Sequence, residues 1–441
     1  MRVLVKKEFR DFILSYRLFL GTWILLAVFS LSAVVWGNRY LQDVENLSIA
    51  KANYENYLQQ HGSVRGLWMF KMKSTPPLSP IFIGYQDHSP FFGESWFGDY
   101  DESLAFFPTL DIGFIAALAI SLLALLFTFD SITRERENGS LKSVCSNSIS
   151  RTKILLAKVI GSSGGLSLAV IPAWILAFLI LSIGFRIDFT GDDLIAYLLI
   201  VIMSCLYLLL FTTIGVTVSA FARTSTSALL TALVIWIAGI SVIPGLGPAL
   251  ADLIKPVERW EQHLDEIRKI GGPEGYEKTL KKRYEDRQEG ESWAPLYYQT
   301  REEFDYYGWW RRLDDEYFNR VERTARLTQQ LASISPYAAF LLCGQALADT
   351  GLIAHYQYAR KNLDNEIDIW EYQGRTVLNN PGKDVDSPGS VDLSDVPRFH
   401  LPPRALRERL AEALPSMAWL TGETIFFLLI GLALFWRYDV R

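Results

Sequence analysis

Six runs of this 441-residue chain are apolar over lengths that match a lipid bilayer, and nothing else in the sequence limits its fold as tightly. A helix needs about 20 apolar residues to cross the hydrocarbon core. The runs are Leu18–Trp36, Ile112–Phe129, Val159–Phe185, Leu194–Phe221, Ser227–Ile243 and Met417–Trp436. Half of the residues are hydrophobic, yet the mean hydropathy is only +0.15, because the charged residues are gathered into the segments between the runs. A soluble globule would spread its apolar residues periodically instead. The expected fold is mainly α: a polytopic membrane protein with six transmembrane helices, an N-terminal interfacial helix and two extracytoplasmic, mostly helical segments.

Charge sets the expected orientation. In a six-span topology residues 1–17, 130–158, 222–226 and 437–441 share one side and hold 14 Lys/Arg against 6 Asp/Glu. Residues 37–110 and 248–415 face the other side, with 5 basic against 8 acidic and 23 against 29. Short basic loops stay inside, so both chain ends are expected in the cytoplasm. The first run is longer than a secretory h-region and lacks a small-x-small cleavage site, so it is read as a retained anchor. Pro172 should kink the third span, and "PGLGPAL" (Pro244 to Leu250) should break or turn back the end of the fifth, here taken as 227–254.

The chain divides accordingly. Residues 1–17 place Val5, Phe9, Phe12 and Ile13 on one helical face and Lys6, Lys7, Arg10 and Arg17 around the other, as in a helix lying among lipid headgroups; the plainer alternative is a basic flank to the first span. The first external segment, 37–110, should be helical to about Gln60 and turn-rich beyond. The second, 255–415, is charged and helical from Pro256 to Leu331 and interleaved with Trp and Tyr. Ser333 to Gly351 reads as a capped apolar helix too short to span, hence re-entrant or resting on the outer leaflet. Residues 376–400 should be loop.

Enzyme chemistry finds little footing. No Walker A pattern occurs, and "GSSGG" at 161–165 lacks the lysine. The five histidines are scattered without metal-ligand spacing, and no G-x-S-x-G elbow is present. Cys145, Cys205 and Cys343 fall in different compartments of the six-span topology, so no disulfide framework or metal cluster is expected. Paired carboxylates such as Asp314-Asp315 read as a solvated helix face. Two features stand out from this background. Glu423 lies within the last span, where an ionisable group is costly and often functional, unless it sits near the outer end against headgroup water. The aromatic cluster around Tyr306–Arg312 suits a sugar, lipid or protein ligand, or else forms the core of a helical external domain.

The loop "FDSITRERENGSLKSVCSNSISRTKILLAKVIG", residues 129–161, is the most informative stretch. Asp130 ends the second span, Glu135-x-Glu137-x-Gly139-Ser140-Leu141 follows, then Ser150-Arg151, and Lys158 opens the third span. Physically it is a short helix–turn–helix with intrahelical charge pairs, a turn at Gly139, and Arg151 and Lys158 at headgroup level. An ordinary connection between two spans needs only a handful of residues.

This stretch resembles the second-to-third-span region of ABC-2 type (type V exporter) permeases, whose pattern is Phe-Asp, E-x-E-x-G-[S/T]-L, Ser-Arg and a Gly/Ala-Lys pair; Ala157 stands where Gly is usual. "KKEFRDFILSYR", "ISPYAAFLLCGQALADTG", "DVPRF" (395–399) and "FWRYDVR" (435–441) are similar to further stretches of the family, in the subgroup with large extracytoplasmic insertions before the second and last spans. The resemblance implies a permease of a bacterial plasma membrane, paired with a second copy or a homologous permease and driven by separate ABC ATPase subunits. ATP and Mg would be bound there, leaving this chain without a cofactor and not itself an enzyme. Asp130, Glu135, Glu137, Gly139, Ser140, Leu141, Ser150, Arg151 and Lys158 would form the coupling region, with Glu135 to Leu141 docking into an ATPase cleft. The exported substrate would be lipid-, peptide- or glycan-like. The alternative is mechanical action on an extracytoplasmic partner protein without solute transport, as in the permease of the nitrous-oxide-reductase maturation system; a third reading is a membrane scaffold or sensor. Membrane lipid is a partner in every case, and nucleic acid in none.

Overall fold

The computed structural model describes residues 1–60, 63–64, 67, 74–84, 110–141, 150–256, 260–288, 292–381, 383–385, 387 and 389–437. Most of the turn-rich part of the first external segment, residues 142–149 with Cys145, and the tail after Arg437 lie outside the described residues. Among the described residues every regular element is a helix.

Among the described residues six helices are long and apolar enough to cross a membrane. They are α2 (Tyr16–Gln60), α3 (Ile112–Thr128), α5 (Arg151–Leu179), α6 (Gly191–Phe221), α7 (Ser225–Ile237) with its continuation α8 (Ile243–Ile254), and α15 (Leu406–Arg437). The protein is a mainly α polytopic membrane protein. The bundle core joins Phe29, Ile120, Trp174, Tyr207 and Phe211, all almost fully buried. Small residues such as Ala116, Ala117 and Ala124 line α3 where it meets α6, which lets the backbones approach closely.

The fifth span does not break at "PGLGPAL". A π turn over Ala238–Val242 joins α7 to α8, and the span runs unbroken from Ser225 to Ile254. The wider turn re-phases the helix, so Pro244 falls in the first turn of α8, where its missing N–H leaves no bond unmade.

The short helix α13 (Pro336–Leu347) enters the bundle and packs against α6 and α15. Its Phe340 stacks on Tyr207 at 4.7 Å, and Cys343 and Ala339 are completely buried. Ser335 caps it by accepting the Ala338 N–H. It meets α14 (Leu352–Asn379) at a 43° bend. Residues 74–84 fold over the same place, seating Phe82 against Gly113 and Gly344, while Asp111 accepts the N–H groups of Ile83 and Phe114.

Beyond the bundle, α2 continues some 24 residues past Trp36, about 36 Å at 1.5 Å per residue. Its far end is held by a two-toothed ion pair between Glu55 and Arg398, at 2.9 and 3.2 Å. Val64, Leu67, Ile369, Leu393 and Val396 close a small core there, so the two inserted segments form one packed body. Helices α9 (Trp260–Ile270), α10 (Tyr276–Glu285), α11 (Trp293–Glu303) and α12 (Tyr306–Ala332) complete it with α14. Tyr306 packs on Tyr276, Trp309 and Trp310, Trp310 meets Trp370, and the Arg301 guanidinium lies 4.3 and 4.5 Å from the rings of Tyr297 and Tyr306. The aromatic cluster therefore packs largely on itself, as a domain core does.

Candidate functional site

The site lies at the end of the bundle where α1 (Arg2–Ile13), the start of α5 and the end of α15 meet; this is the termini face, opposite the inserted body. Its centre is α4 (Thr133–Glu137), a single turn suspended between α3 and α5. So short a helix has little stability of its own, and its shape is fixed by what its side chains grip.

Those grips are to the ends of other spans. The N–H groups of Ile132 and Thr133 both donate to Ser219 Oγ near the end of α6, at 2.9 and 3.1 Å. The Arg136 guanidinium donates to the carbonyls of Ala220, at 3.1 Å, and Ala222, which the end of α6 leaves without helical partners. Glu137 accepts the backbone N–H of Ser225 at 2.8 Å and its hydroxyl at 2.7 Å, placing a carboxylate on the N-terminus of α7. One helical turn thus bonds the end of one span and the beginning of the next.

Glu135 points the other way. Its Oε1 accepts Lys158 Nζ at 2.8 Å, and the same ammonium lies 3.4 Å from Glu8 of α1. Lys158 is 4% exposed, so it is a buried tie between three helices and not a headgroup anchor. The charges of Glu135, Arg136 and Glu137 accordingly serve contacts between helices in place of the expected intrahelical pairs.

The remaining residues of the stretch divide by exposure. Gly139 adopts φ +69°, a conformation that suits glycine, and a Cβ there would meet nothing within 4 Å. Ser140 is exposed and donates to the Glu135 carbonyl at 3.2 Å. Leu141 is buried with Ile132, Leu155, Val216 and Phe435. Asp130 is half-buried, and its carbonyl accepts the Arg134 N–H. Ser150 is the N-cap residue of α5, and Arg151 donates to the Trp436 carbonyl at 2.9 Å, tying α5 to the end of α15. Arg134, Glu137, Asn138, Gly139 and Ser140 are the exposed residues of this face of α4 and its turn.

The GSSGG run has a mechanical part here. A Cβ on Gly161 would come within 2.6 Å of Glu8 Cβ, and one on Gly165 within 2.8 Å of Phe12 Cβ. These glycines form the groove in which α1 crosses α5, with Val5, Glu8, Phe9 and Phe12 turned inward and Lys6, Lys7 and Arg10 outward. Ile13 is exposed, and Glu8 takes the inward place that an amphipathic reading gave to apolar residues. Ser219, Ser225 and Arg136 carry no local sequence signal, because their partners are more than 80 residues away.

A second charged assembly closes the opposite face. Arg409 pairs with Asp193 at 2.8 Å, and Arg404 pairs with Asp349 and, at 2.6 Å, with Glu412. All five side chains are almost inaccessible, and they join α6, the α13–α14 turn and α15. Glu423 lies between the two assemblies: 14 residues beyond Arg409 and 13 before Trp436, it is about 20 Å along α15 from each. It is therefore near the middle of α15 and not at either of its ends.

Among the described residues no group of His, Cys, Asp or Glu is arranged to hold a metal, and Cys205 and Cys343 are free thiols.

Among the described residues, membrane-length helices, a glycine-seated N-terminal helix and a charged single turn bonded to the span ends make up a polytopic membrane subunit. The chain belongs to the ABC-2 family of transporter proteins, whose family pattern matches residues 2–440. It is a transmembrane subunit of the ABC transporter type, a class that works with ABC ATPase subunits and is generally not itself catalytic. No curated protein gives a significant match to it.

Proposed function

We propose that this chain is the permease subunit of an ATP-driven exporter, and that residues 133–140 receive the stroke of an ATPase carried on a separate chain. The supporting observation is the set of bonds from α4: Arg136 to the end of α6, Glu137 to the start of α7, and Glu135 through Lys158 to α5 and α1. A force on this turn reaches four helices without passing through a flexible linker. In this reading Glu135 and Leu141 brace the joint from inside, and Arg134, Asn138, Gly139 and Ser140 offer the docking surface. The termini face is then cytoplasmic and the inserted body extracytoplasmic, in a bacterial plasma membrane, with ATP and Mg bound by the partner ATPase and a second permease copy or homologue completing the transporter.

The exported substrate is lipid-, peptide- or glycan-like. One observation favours the second reading, mechanical action on an external partner: the inserted body is packed onto the 36 Å extension of α2 and the bend at α13, both continuous with the bundle. The test is reconstitution with a candidate partner ABC ATPase. N138R and S140R should insert and fold normally but lose ATPase co-purification or the permease-dependent change in its activity. Normal co-purification and normal stimulation by both variants would refute the docking surface. Stimulation by an external protein without accumulation of any solute in vesicles would favour the mechanical reading.

A further inference from the structure

Glu423 is the ionisable residue of α15 that the packing among the described residues leaves without a polar partner. It stands about 20 Å along α15 from the Arg409–Asp193 pair and about as far from the Arg151–Trp436 contact. Its Oε2 is sealed from solvent and has no hydrogen-bond partner among the described residues. The nearest charged positions along its own helix, Glu412 and Arg437, are 11 and 14 residues away, roughly 16 and 21 Å.

The polar groups at its depth have already committed their protons. Tyr207 of α6, which is within electrostatic reach of Glu423, donates its hydroxyl proton to the Ala117 carbonyl at 3.1 Å. Ser121 of α3 donates to the same carbonyl at 2.6 Å. Trp236 of α7 donates its indole N–H to Ser121 Oγ at 2.9 Å. Tyr337 of α13, the other titratable group next to Tyr207, is an acid and not a cation. Among the described residues a carboxylate here would have neither a donor nor a counter-charge, and with Oε2 sealed from water taking up a proton costs less than keeping an unpartnered charge.

We propose that Glu423 is a proton-binding site at the centre of the bundle, occupied as a neutral carboxylic acid when α15 is packed against α6 and α13 as described above. The proton adds to the carboxylate when the helices close and leaves to water when Oε2 is uncovered, so proton occupancy and the packing of α15 are linked. This inference does not depend on where the ATPase docks.

The test is an infrared difference spectrum of the full-length protein in lipid, wild type minus E423Q, at neutral pH. The expected result is the carbonyl stretch of a protonated carboxyl group, lost in E423Q and resistant to mild alkalinisation in the intact protein. A difference spectrum with only carboxylate bands would overturn the proposal. The amide is nearly isosteric with a neutral acid, so E423Q should also fold with an unchanged melting temperature. Failure of E423Q to fold would count against the proposal, because it would mean that the charge is structurally required.

Discussion

Lys158 and Glu135 meet at 2.8 Å across the joint between α5 and α4, and Glu8 of α1 approaches the same ammonium at 3.4 Å. The lysine side chain is 5% exposed and the two acids are 18% and 22% exposed, so the triad is shielded but not dry. Removing one member of a buried pair leaves the others uncompensated, which typically costs about 3–5 kcal/mol when the site is fully buried. K158A should therefore lower the thermal stability of the purified protein by about 2–3 kcal/mol, toward the lower end because of the partial exposure. E8Q, which spares the shorter contact, should cost less than E135Q. Unfolding in detergent, followed by tryptophan fluorescence, measures both differences.

Glu137 and Ser225 offer a second, separable contact. The carboxylate occupies the N-terminus of α7 much as a capping side chain does, accepting the Ser225 N–H and hydroxyl. E137A should lower the melting temperature by removing both bonds and S225A by removing the hydroxyl bond, and the double variant should lose less than the sum of the two because they share that bond. E137R places a cation against the helix dipole as well and should be the most damaging of the three. In coupled assays it should reduce permease-dependent ATPase stimulation even where the subunits still co-purify.

The groove under α1 gives a steric prediction. G165A would bring a methyl within 2.8 Å of Phe12 Cβ, and G161A within 2.6 Å of Glu8 Cβ. Neither neighbour is the free end of a flexible chain, so the helices must separate, at about 1–3 kcal/mol. A cysteine pair placed across α1 and α5 should cross-link efficiently in the parent and poorly in G161L/G165L. Equal cross-linking would show that α1 is not seated there.

How much of this was legible beforehand follows from the range of each interaction. The spans were readable because a bilayer demands contiguous apolar sequence, so Leu18–Trp36 and Leu194–Phe221 announce themselves within one window. The turn at Gly139 was readable because glycine has few other reasons to follow a charged helical stretch. The partners were not. Glu137 and Ser225 are 88 residues apart, and Arg409 and Asp193 are 216 apart, and nothing local to either end specifies the other. GSSGG was visible as glycine-rich, but a helix groove has meaning only once the crossing helix is known. At "PGLGPAL" the local rule for proline was sound, yet a five-residue π turn just upstream put Pro244 in the first turn of α8, and the helix carries Pro248 inside it without breaking.

The buried acid of the inserted body supplies a pH prediction with a definite sign. Asp314 of α12 is 4% exposed, and its pKa is pushed up to about 8, first by burial and then by the charges of Asp315, Asp364 and Glu366. His263 of α9, stacked on Tyr317 at 4.4 Å, comes within 4.0 Å of the same carboxyl, and Arg360 is engaged with the neighbouring Asp315. In the unfolded chain Asp314 titrates near 3.9, so between about pH 4 and pH 8 the folded body binds a proton that the unfolded chain does not. Its contribution to stability is therefore greatest on the acid side, declines as pH rises through that window, and levels off above about pH 8. D314N, which keeps the shape and cannot ionise, should flatten the decline and melt higher than the parent at the alkaline end. Melting curves of parent and variant across the window decide the matter: parallel pH profiles would mean that Asp314 stays ionised in the fold, and a steeper decline in D314N would reverse the sign.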